Sequence, residues 1–292
     1  MCGGEGMSAI EIIKHCIGDG IMSAAAGREG EMCEIRLRAN RPAQIRMMDG
    51  SSSEGICISP SRLENIISKL SMGSRYAVED QLRQGYFTMQ DGIRVGVCGK
   101  MNMEANGQYT LSAVGSICIR IPREIKGCAM PLWEKNGLDN ILILSPPGMG
   151  KTTMIRDYVR LASENGHNIA VADERREIAA CMQGVPQMDV GRYTDVIDDC
   201  PKERAIPLLL RACAPDLIAA DEIALESEAQ VLREASKCGV KIAATAHAAS
   251  FQDALDRKVI GGLIREGIFS DIYLLGGRAG NIKGIYQFRS EE

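Results

Sequence analysis

A run of nine residues combines glycine, lysine and threonine in a way that suits phosphate binding. Its members are Ser145, Pro146, Pro147, Gly148, Met149, Gly150, Lys151, Thr152 and Thr153. The run follows the phosphate-loop pattern G-x-x-x-x-G-K-[ST], except that serine replaces the first glycine. The glycines let backbone N–H groups converge on phosphate oxygens, the lysine can reach the β- and γ-phosphates, and the Thr152 hydroxyl can bind Mg²⁺. The pattern therefore predicts binding of a nucleoside triphosphate with Mg²⁺, and we interpret the small Ser145 as a tolerated departure.

The sequence on either side of this loop predicts a strand and a helix. Residues 141–144 form a continuous apolar run, as expected of a strand buried on both faces. Residues 152–165 repeat apolar side chains at helical spacing, and Gly166 stands where a helix C-terminal cap belongs. Strand, loop and helix in this order are the context in which the pattern binds phosphate. A capped helix that binds no ligand is the alternative.

Two carboxylates follow another apolar segment about 70 residues downstream of the loop. Asp221 and Glu222 come directly after residues 216–220, which are predicted to be a strand. An aspartate in this place can hold Mg²⁺, directly or through water, and the adjacent glutamate can polarise a water for attack on the γ-phosphate. We therefore expect Asp221 to be a Mg²⁺ ligand, and Glu222 and Lys151 to be catalytic residues.

Two further strand ends carry polar residues that could join the site. Residues 168–172 are followed by an acidic segment that includes Glu174, and residues 240–245 lead to His247. Glu174 is a further candidate ligand of Mg²⁺. A lone histidine is more often structural, but at a strand end beside a nucleotide site His247 is a candidate sensor of the γ-phosphate.

Basic residues lie between the two acidic segments, at Arg192, Lys202 and Arg211. An arginine that reaches a neighbouring subunit's γ-phosphate would stabilise charge in the transition state. We expect either Arg192 or Arg211 to act in this way, and the sequence does not choose between them. Ordinary surface charge is the alternative.

From residue 139 onward, predicted strands alternate with predicted helices, which is typical of a parallel sheet with crossover helices. The predicted strands are 140–144, 168–172, 216–220, 240–245 and 271–275. Ligands of open α/β sheets bind at the carboxyl ends of the strands, so the polar segments are expected to meet at one edge. The predicted fold class is an α/β P-loop NTPase of the RecA-like or AAA+ type, with a mostly parallel sheet and an N-terminal α+β domain.

The N-terminal part is predicted to be a separate α+β module. Its predicted elements are a strand–turn–strand over 34–47, helices over 59–70 and 74–85, a hairpin over 86–99 with Asp91-Gly92 as its turn, and a strand over 116–121. Prolines and glycines punctuate the stretch near 125–138. We therefore predict an assembly or partner-docking domain over 1–130 and a P-loop ATPase domain over 131–292.

Composition and charge exclude several classes of function. The net charge is −4 with a pI of about 5.6, and neither half has a marked excess of positive charge, so no nucleic-acid partner is expected. No apolar run approaches the roughly 18 residues of a membrane span, and the N-terminus lacks a signal peptide's apolar segment. The 11 cysteines form no C-x-x-C pair. We expect a cytoplasmic protein that does not insert into a membrane.

Several longer motifs carry a resemblance to a known family. They are SPPGMGKTTMIRD, DERREIAAC, RYTDVIDDCPK, LLLRACAPDLIAADEI and ATAHA, with EIRLRANRP, GYFTMQDGIRVGVCGK and SICIRIPRE nearer the N-terminus. Over nearly its whole length the chain resembles the stage III sporulation protein AA ATPases of endospore-forming bacteria, relatives of the type II and type IV secretion and pilus ATPases. The resemblance implies that the nucleotide is ATP. It also implies that Asp173-Glu174-Arg175 takes the place of the secretion ATPases' acidic box, and His247 that of their histidine box.

One residue departs from the wider secretion family, which usually carries glycine where this chain has Asp221. The departure points to more direct handling of Mg²⁺ by Asp221. The family further implies a homo-oligomer, expected to be a hexameric ring, at the mother-cell side of the membrane. It would dock on membrane proteins of a sporulation channel or secretion platform and energise the channel between mother cell and forespore.

A nucleic-acid translocase or RNA-binding ATPase is the main alternative, because related folds drive helicases. The near-neutral N-terminal part and an aromatic content of 4% count against it, since single-strand binding favours basic grooves with stacking aromatic side chains. A small-molecule kinase is a third alternative, although the sequence offers no obvious lid or acceptor pocket.

Overall fold

The computed structural model describes residues 9–71, 79–83, 85–104, 107, 109–122, 124–277 and 280–287. The chain divides into two compact units, Met1–Arg123 and Glu124–Glu292. Ala129 belongs to the second unit, where it is buried in the core and donates its backbone N–H to Asp157 (2.8 Å). The division into two functional domains, 1–130 and 131–292, stays a prediction.

The first unit is built on an antiparallel sheet. Its strands are β1 (Met32–Arg38), β2 (Arg41–Met47), β3 (Ser52–Ile58), β4 (Tyr86–Thr88), β5 (Arg94–Met103) and β6 (Tyr109–Arg120). Its α-helices are α1 (Ala9–Ile17), α2 (Asp19–Met22), α3 (Pro60–Leu70) and α4 (Glu79–Arg83). The six strands lie in the order β3-β2-β1-β6-β5-β4, and one hydrophobic core fills this unit.

Most of the predicted N-terminal elements are present. The strands predicted over 34–47 are β1 and β2, and the strand predicted over 116–121 is the end of β6. The helix predicted over 59–70 is α3, whose N-cap Ser59 accepts a hydrogen bond from the backbone N–H of Arg62 (3.2 Å). The helix predicted over 74–85 lies partly outside the described residues, and α4 is the part that is described.

The predicted hairpin is formed by β4 and β5. Asp91 and Gly92 take φ values of 56° and 68°, as a turn with two left-handed residues requires. The sequence does not predict β3, because this edge strand is polar and mostly exposed and so lacks a buried apolar alternation.

The second unit is an α/β domain. Its strands are β7 (Ile141–Ser145), β8 (Ile169–Asp173), β9 (Thr194–Asp198), β10 (Leu217–Ala220), β11 (Lys241–His247), β12 (Asp271–Leu275) and β13 (Ile282–Tyr286). Its α-helices are α5 (Met130–Asn136), α6 (Lys151–Glu164), α7 (Lys202–Cys213), α8 (Glu226–Lys237), α9 (Phe251–Asp256) and α10 (Lys258–Arg265).

The seven strands of this sheet lie in the order β13-β12-β7-β11-β10-β8-β9. All neighbouring pairs are parallel except β12 and β13, which confirms the predicted mostly parallel sheet. The five predicted strands correspond to β7, β8, β10, β11 and β12. The sequence does not predict β9 and β13, which are the half-exposed edge strands and lack a continuous apolar run.

Helices cover both faces of this sheet. Ile141 and Ile143 of β7 point into a core shared with α5 and α6, while Leu142 and Leu144 point into a core shared with α7 to α10. Side chains of a strand alternate between the two faces, so a strand with both faces covered is apolar throughout. In the part of the chain that the structure describes, no helix is long and apolar enough to cross a membrane.

Candidate functional site

The loop between β7 and α6 follows a backbone course that suits binding of a phosphate group. Gly148 and Gly150 take φ values of 75° and 87°, in the left-handed region that favours glycine. Gly150 is the N-cap of α6, and its carbonyl accepts the backbone N–H of Met154 (2.9 Å). The unpaired N–H groups at this helix start, together with the helix dipole, favour an anion such as phosphate.

Ser145, which replaces the usual glycine, makes side-chain contacts inside this turn. It is fully buried, and its hydroxyl donates to the carbonyl of Pro146 at 2.6 Å. Its hydroxyl and carbonyl oxygens lie 3.4 and 3.5 Å from Nζ of Lys151. The serine therefore fixes both the course of the loop and the place of the lysine.

Thr152 and Asp221 meet at the carboxyl edge of the sheet. The Thr152 hydroxyl donates to Oδ2 of Asp221 at 2.8 Å, and the two residues are 69 positions apart in the chain. The other carboxylate oxygen, Oδ1, accepts from the hydroxyl of Thr245 and from the backbone N–H of Glu222 (3.0 Å). One carboxylate oxygen is thus fixed by the protein, and the other faces the threonine of the loop.

Hydroxyl and carboxylate oxygens are the ligands that Mg²⁺ prefers, so Thr152 and Asp221 fit this ion. Across the described ranges, no group of three or more His, Cys, Asp or Glu side chains could hold a metal by itself. A site with two protein oxygens suits Mg²⁺ in particular, because this ion keeps waters and shares substrate phosphates in such sites.

Glu222 follows Asp221 and is held by both its backbone and its side chain. Its φ of 51° is unusual for a residue other than glycine, and its N–H also donates to the Thr245 hydroxyl (2.9 Å). Its Oε1 lies 3.0 Å from Nε2 of His247, and its Oε2 is ion-paired with Arg175. The carboxylate is therefore held by two neighbours, His247 of β11 and Arg175 just after β8, while Thr245 of β11 holds the backbone N–H.

Lys151 and His247 complete a chain of contacts. Nζ of Lys151 lies 3.0 Å from Nδ1 of His247, in a place where the lysine is only 5% exposed. An ammonium group has only donors, so Nδ1 accepts and Nε2 carries the proton that is donated to Glu222. Burial lowers the pKa of Lys151, and the charges of Asp221 and Glu222 oppose that shift. The chain Lys151–His247–Glu222 connects the loop to the predicted catalytic carboxylate.

Asp173, the first residue of the acidic segment, has a structural environment. It is 1% exposed, and its carboxylate accepts the backbone N–H groups of Glu177 (2.8 Å), Ile178 (3.1 Å) and Ala179 (2.8 Å). Burial raises its pKa, and the three hydrogen bonds oppose the shift. Asp173 therefore shapes the turn that carries the residues after β8.

Glu174, the other predicted Mg²⁺ ligand, is paired with a buried cation. Nζ of Lys202 lies 2.6 Å from Glu174 and 2.7 Å from Glu228. Glu228 also accepts the backbone N–H groups of Ala224 and Leu225, which follow Glu222 in the chain. The network ties the end of β8 to the turn that follows Glu222, and binding of Mg²⁺ by Glu174 stays a prediction.

Arg192 and Arg211, one of which is predicted to reach a neighbouring subunit's γ-phosphate, lie at the amino ends of the strands, whereas the phosphate loop follows the carboxyl end of β7. Arg192 precedes β9 and packs on the ring of Tyr193, whose carbonyl accepts from the backbone N–H of Ile169 at the start of β8. Arg211 is in the last turn of α7, which leads into the amino end of β10, and its Nε donates to the Pro207 carbonyl (3.1 Å). Both are exposed, so a role at a neighbouring subunit's site stays a prediction.

A cavity of about 460 Å³ opens beside Glu222. It is lined by Arg175, Glu222, Ile223, Ala224, His247, Arg257, Lys258, Val259 and Ile260. The sequence patterns did not identify three residues of this region, Arg257, Lys258 and the buried Thr245. The signal for Thr245 was the motif ATAHA, in which it precedes His247 by two residues on β11.

The model of the family described as "Sporulation stage III, protein AA" matches residues 12–292. "Stage III sporulation protein AA" of Bacillus subtilis (strain 168) is 35% identical over 267 residues, which cover 88% of this chain and 87% of that protein.

Two solved structures are similar in fold. The X-ray structure of the Legionella pneumophila ATPase DotB has a TM-score of 0.59 and 14% identity, and the match covers 93% of this chain and 77% of that one. The crystal structure of the pilus retraction motor PilT with bound ADP also has a TM-score of 0.59, with 18% identity over 92% of this chain and 78% of that one. The predicted α/β fold with an N-terminal domain is therefore the fold of these ATPases.

Proposed function

The chain belongs to the stage III sporulation protein AA family, and from this premise we propose that it is a Mg²⁺-dependent ATPase that works as a ring of identical subunits. The observation that carries the proposal is the hydrogen bond of 2.8 Å between Thr152 and Asp221. It joins the end of the phosphate loop to the acidic strand end, which are the two parts that hold Mg²⁺ in P-loop NTPases.

The other residues of the site have separate tasks in this proposal. Backbone N–H groups of the loop and Lys151 bind the β- and γ-phosphates. Thr152 and Asp221 hold Mg²⁺, which would neutralise charge on the phosphates. Glu222 orients the attacking water and accepts its proton. His247 keeps the Glu222 carboxylate in place and connects it to Lys151.

The cellular role is proposed from the family and the fold. The names of its structural neighbours, an ATPase and a pilus retraction motor that holds ADP, support work driven by a nucleotide. We propose that a hexameric ring docks on membrane proteins at the mother-cell side and energises the channel to the forespore. A pull-down from sporulating cells with the Glu222→Gln protein tests this role, since recovery of no membrane protein would contradict it.

Lys151→Ala tests the nucleotide site. Because Lys151 is the only protein cation that the proposal assigns to both phosphates, we expect ATP affinity to fall about 10- to 100-fold, as the loss of a charge-assisted hydrogen bond predicts. We also expect phosphate release to be lost, because Lys151 is a predicted catalytic residue. Isothermal titration calorimetry measures the affinity, and release of inorganic phosphate measures turnover. Lys237→Ala, in the last turn of α8 and exposed, is the matched control.

Unchanged ATP affinity of the Lys151→Ala protein would place the nucleotide elsewhere. The same assay separates the alternatives. Phosphate release without any acceptor argues against a small-molecule kinase, and strong stimulation by single-stranded RNA or DNA would favour a translocase.

Thr245 offers a second test, because its hydroxyl fixes Asp221 and the backbone of Glu222 at once. Thr245→Val keeps the shape of the side chain and removes the hydroxyl. We expect the apparent affinity for Mg²⁺ in the phosphate-release assay to fall about 10- to 100-fold, as for other groups that orient a metal ligand. Thr245→Ser, which keeps the hydroxyl, is expected to retain most of the affinity. Equal Mg²⁺ dependence of the valine and wild-type proteins would show that Thr245 does not position the site.

A further inference from the structure

Arg175 touches the catalytic carboxylate but has no role in the proposal so far. It comes two residues after β8, its Nη1 is ion-paired with Oε2 of Glu222, and its side chain is 60% exposed. Its neighbour Arg176 faces another way and pairs with Asp198 and Asp199, each at 2.9 Å. Of these adjacent arginines, only Arg175 lies at the proposed site.

The place of Arg175 puts it close to where the γ-phosphate must lie. A water held by Glu222 for attack lies about 3 Å from the carboxylate and about 3 Å from the phosphorus. Arg175 touches the same carboxylate, at the far end of the contact chain that begins at Lys151. A guanidinium in this position is within one side-chain movement of the γ-phosphate oxygens.

The ion pair between Arg175 and Glu222 is weak enough for Arg175 to exchange it for a contact with phosphate. An exposed ion pair contributes about 0–1 kcal/mol, because water screens it and two side chains lose freedom. An arginine–phosphate contact is stronger, since the planar guanidinium can donate two parallel hydrogen bonds to phosphate oxygens. Arg175 also lines the cavity of about 460 Å³ beside Glu222, so its side chain has room to move.

The exchange also frees the carboxylate. In the present arrangement Oε1 of Glu222 contacts His247 and Oε2 contacts Arg175, so each oxygen already has a partner. A glutamate that orients water needs an oxygen directed at that water. Movement of Arg175 to the phosphate would release Oε2 at the moment when the substrate is in place.

We propose that Arg175 is a further catalytic residue that acts within its own subunit, leaving Glu222 for the γ-phosphate oxygens when ATP binds. The proposal rests on the ATPase function proposed above. It differs from the role proposed for Arg192 and Arg211. These two arginines lie at the amino ends of the strands, so they could contact the γ-phosphate only in a neighbouring subunit's site.

Arg175→Gln, Arg175→Lys and the control Arg176→Gln test the proposal on the full chain. We expect kcat of Arg175→Gln to fall roughly 10²-fold, as for removal of one donor to transition-state charge, with partial recovery in Arg175→Lys. ADP has no γ-phosphate, so its affinity should stay unchanged. Affinity for the slowly hydrolysed analogue ATPγS should fall about 10-fold or more, because one charge-assisted hydrogen bond is lost. Arg176→Gln should match the wild type in kcat and in both affinities.

Mixing tests whether Arg175 acts within its own subunit or at a neighbour's site. A mixture of Arg175→Gln with Lys151→Ala should be no more active than the separate proteins, because each site lacks one residue that must come from its own subunit. Rescue in that mixture would overturn the action within one subunit. An unchanged or raised kcat of Arg175→Gln would overturn the catalytic role and leave Arg175 as a restraint on Glu222.

The ratio of ATPγS affinity to ADP affinity tests this proposal separately from the proposed ATPase function. The ratio of ATPγS to ADP affinity requires no turnover, so it tests Arg175 even if the wild-type protein releases no phosphate. Absence of phosphate release would contradict the ATPase, whereas an equal ratio in the wild-type and Arg175→Gln proteins would contradict the role of Arg175.

Discussion

Glu222→Gln is expected to lower kcat for ATP hydrolysis by about 10²–10⁴-fold and to leave binding of MgATP nearly unchanged. Glutamine has the size of glutamate and can still accept a hydrogen bond from His247, but it lacks the negative charge that takes a proton from water. The side chain is 21% exposed, and its backbone is held by Thr245 and Asp221, so the fold should be retained. Phosphate release under saturating MgATP measures the loss, and calorimetry measures binding.

The matched control for this substitution is Glu226→Gln. Glu226 lies four residues further on, in the first turn of α8, and is 55% exposed beside Arg233. It should hydrolyse ATP like the wild type. Phosphate release by the Glu222→Gln protein close to the wild-type rate would remove Glu222 from the mechanism and return the role of catalytic base to another group.

Loss of the arginine that is proposed to reach a neighbour's site is expected to lower kcat by about 10³–10⁵-fold. Arg192 and Arg211 are the candidates. Each is exposed at the amino ends of the strands, away from the phosphate loop of its own subunit. Activity that depends on such a residue requires assembly, so turnover per subunit of the wild type should rise with protein concentration. The variants Arg192→Ala and Arg211→Ala identify which of the two is needed.

Mixed assemblies test the same idea more sharply. The inactive Lys151→Ala protein keeps its arginine, and an inactive arginine variant keeps its phosphate loop, so their shared interface joins one intact site with one intact arginine. Some activity should return in that mixture. A mixture of Lys151→Ala with Glu222→Gln is the control and should stay inactive, because both residues act in one site. Turnover that is independent of concentration, with no rescue by either arginine variant, would leave both arginines as surface charge.

The sequence by itself determined the parts of this protein that depend on local pattern. The apolar runs of β7 and β10 predict strands covered on both faces, and the glycines of the loop predict a turn before α6. Phosphate binding by that turn stays a prediction. Alternation of strands and helices predicts the mostly parallel sheet. The sequence did not predict the edge strands β9 and β13, because half-exposed strands lack a continuous apolar run.

The tertiary structure alone decided which residues touch one another at the site. Ala220 pairs with Ala244 in the parallel register of β10 and β11, and this register brings Thr245 against Asp221. The tertiary structure also decided the contacts of the acidic segment at the end of β8, where Asp173 accepts backbone N–H groups and Arg175 contacts Glu222. Loop lengths and apolar runs do not specify which strands become neighbours, nor in which register. Contacts between residues 24 to 96 positions apart, such as Asp221 with Thr245 and Lys151 with His247, therefore become known only when the sheet is assembled.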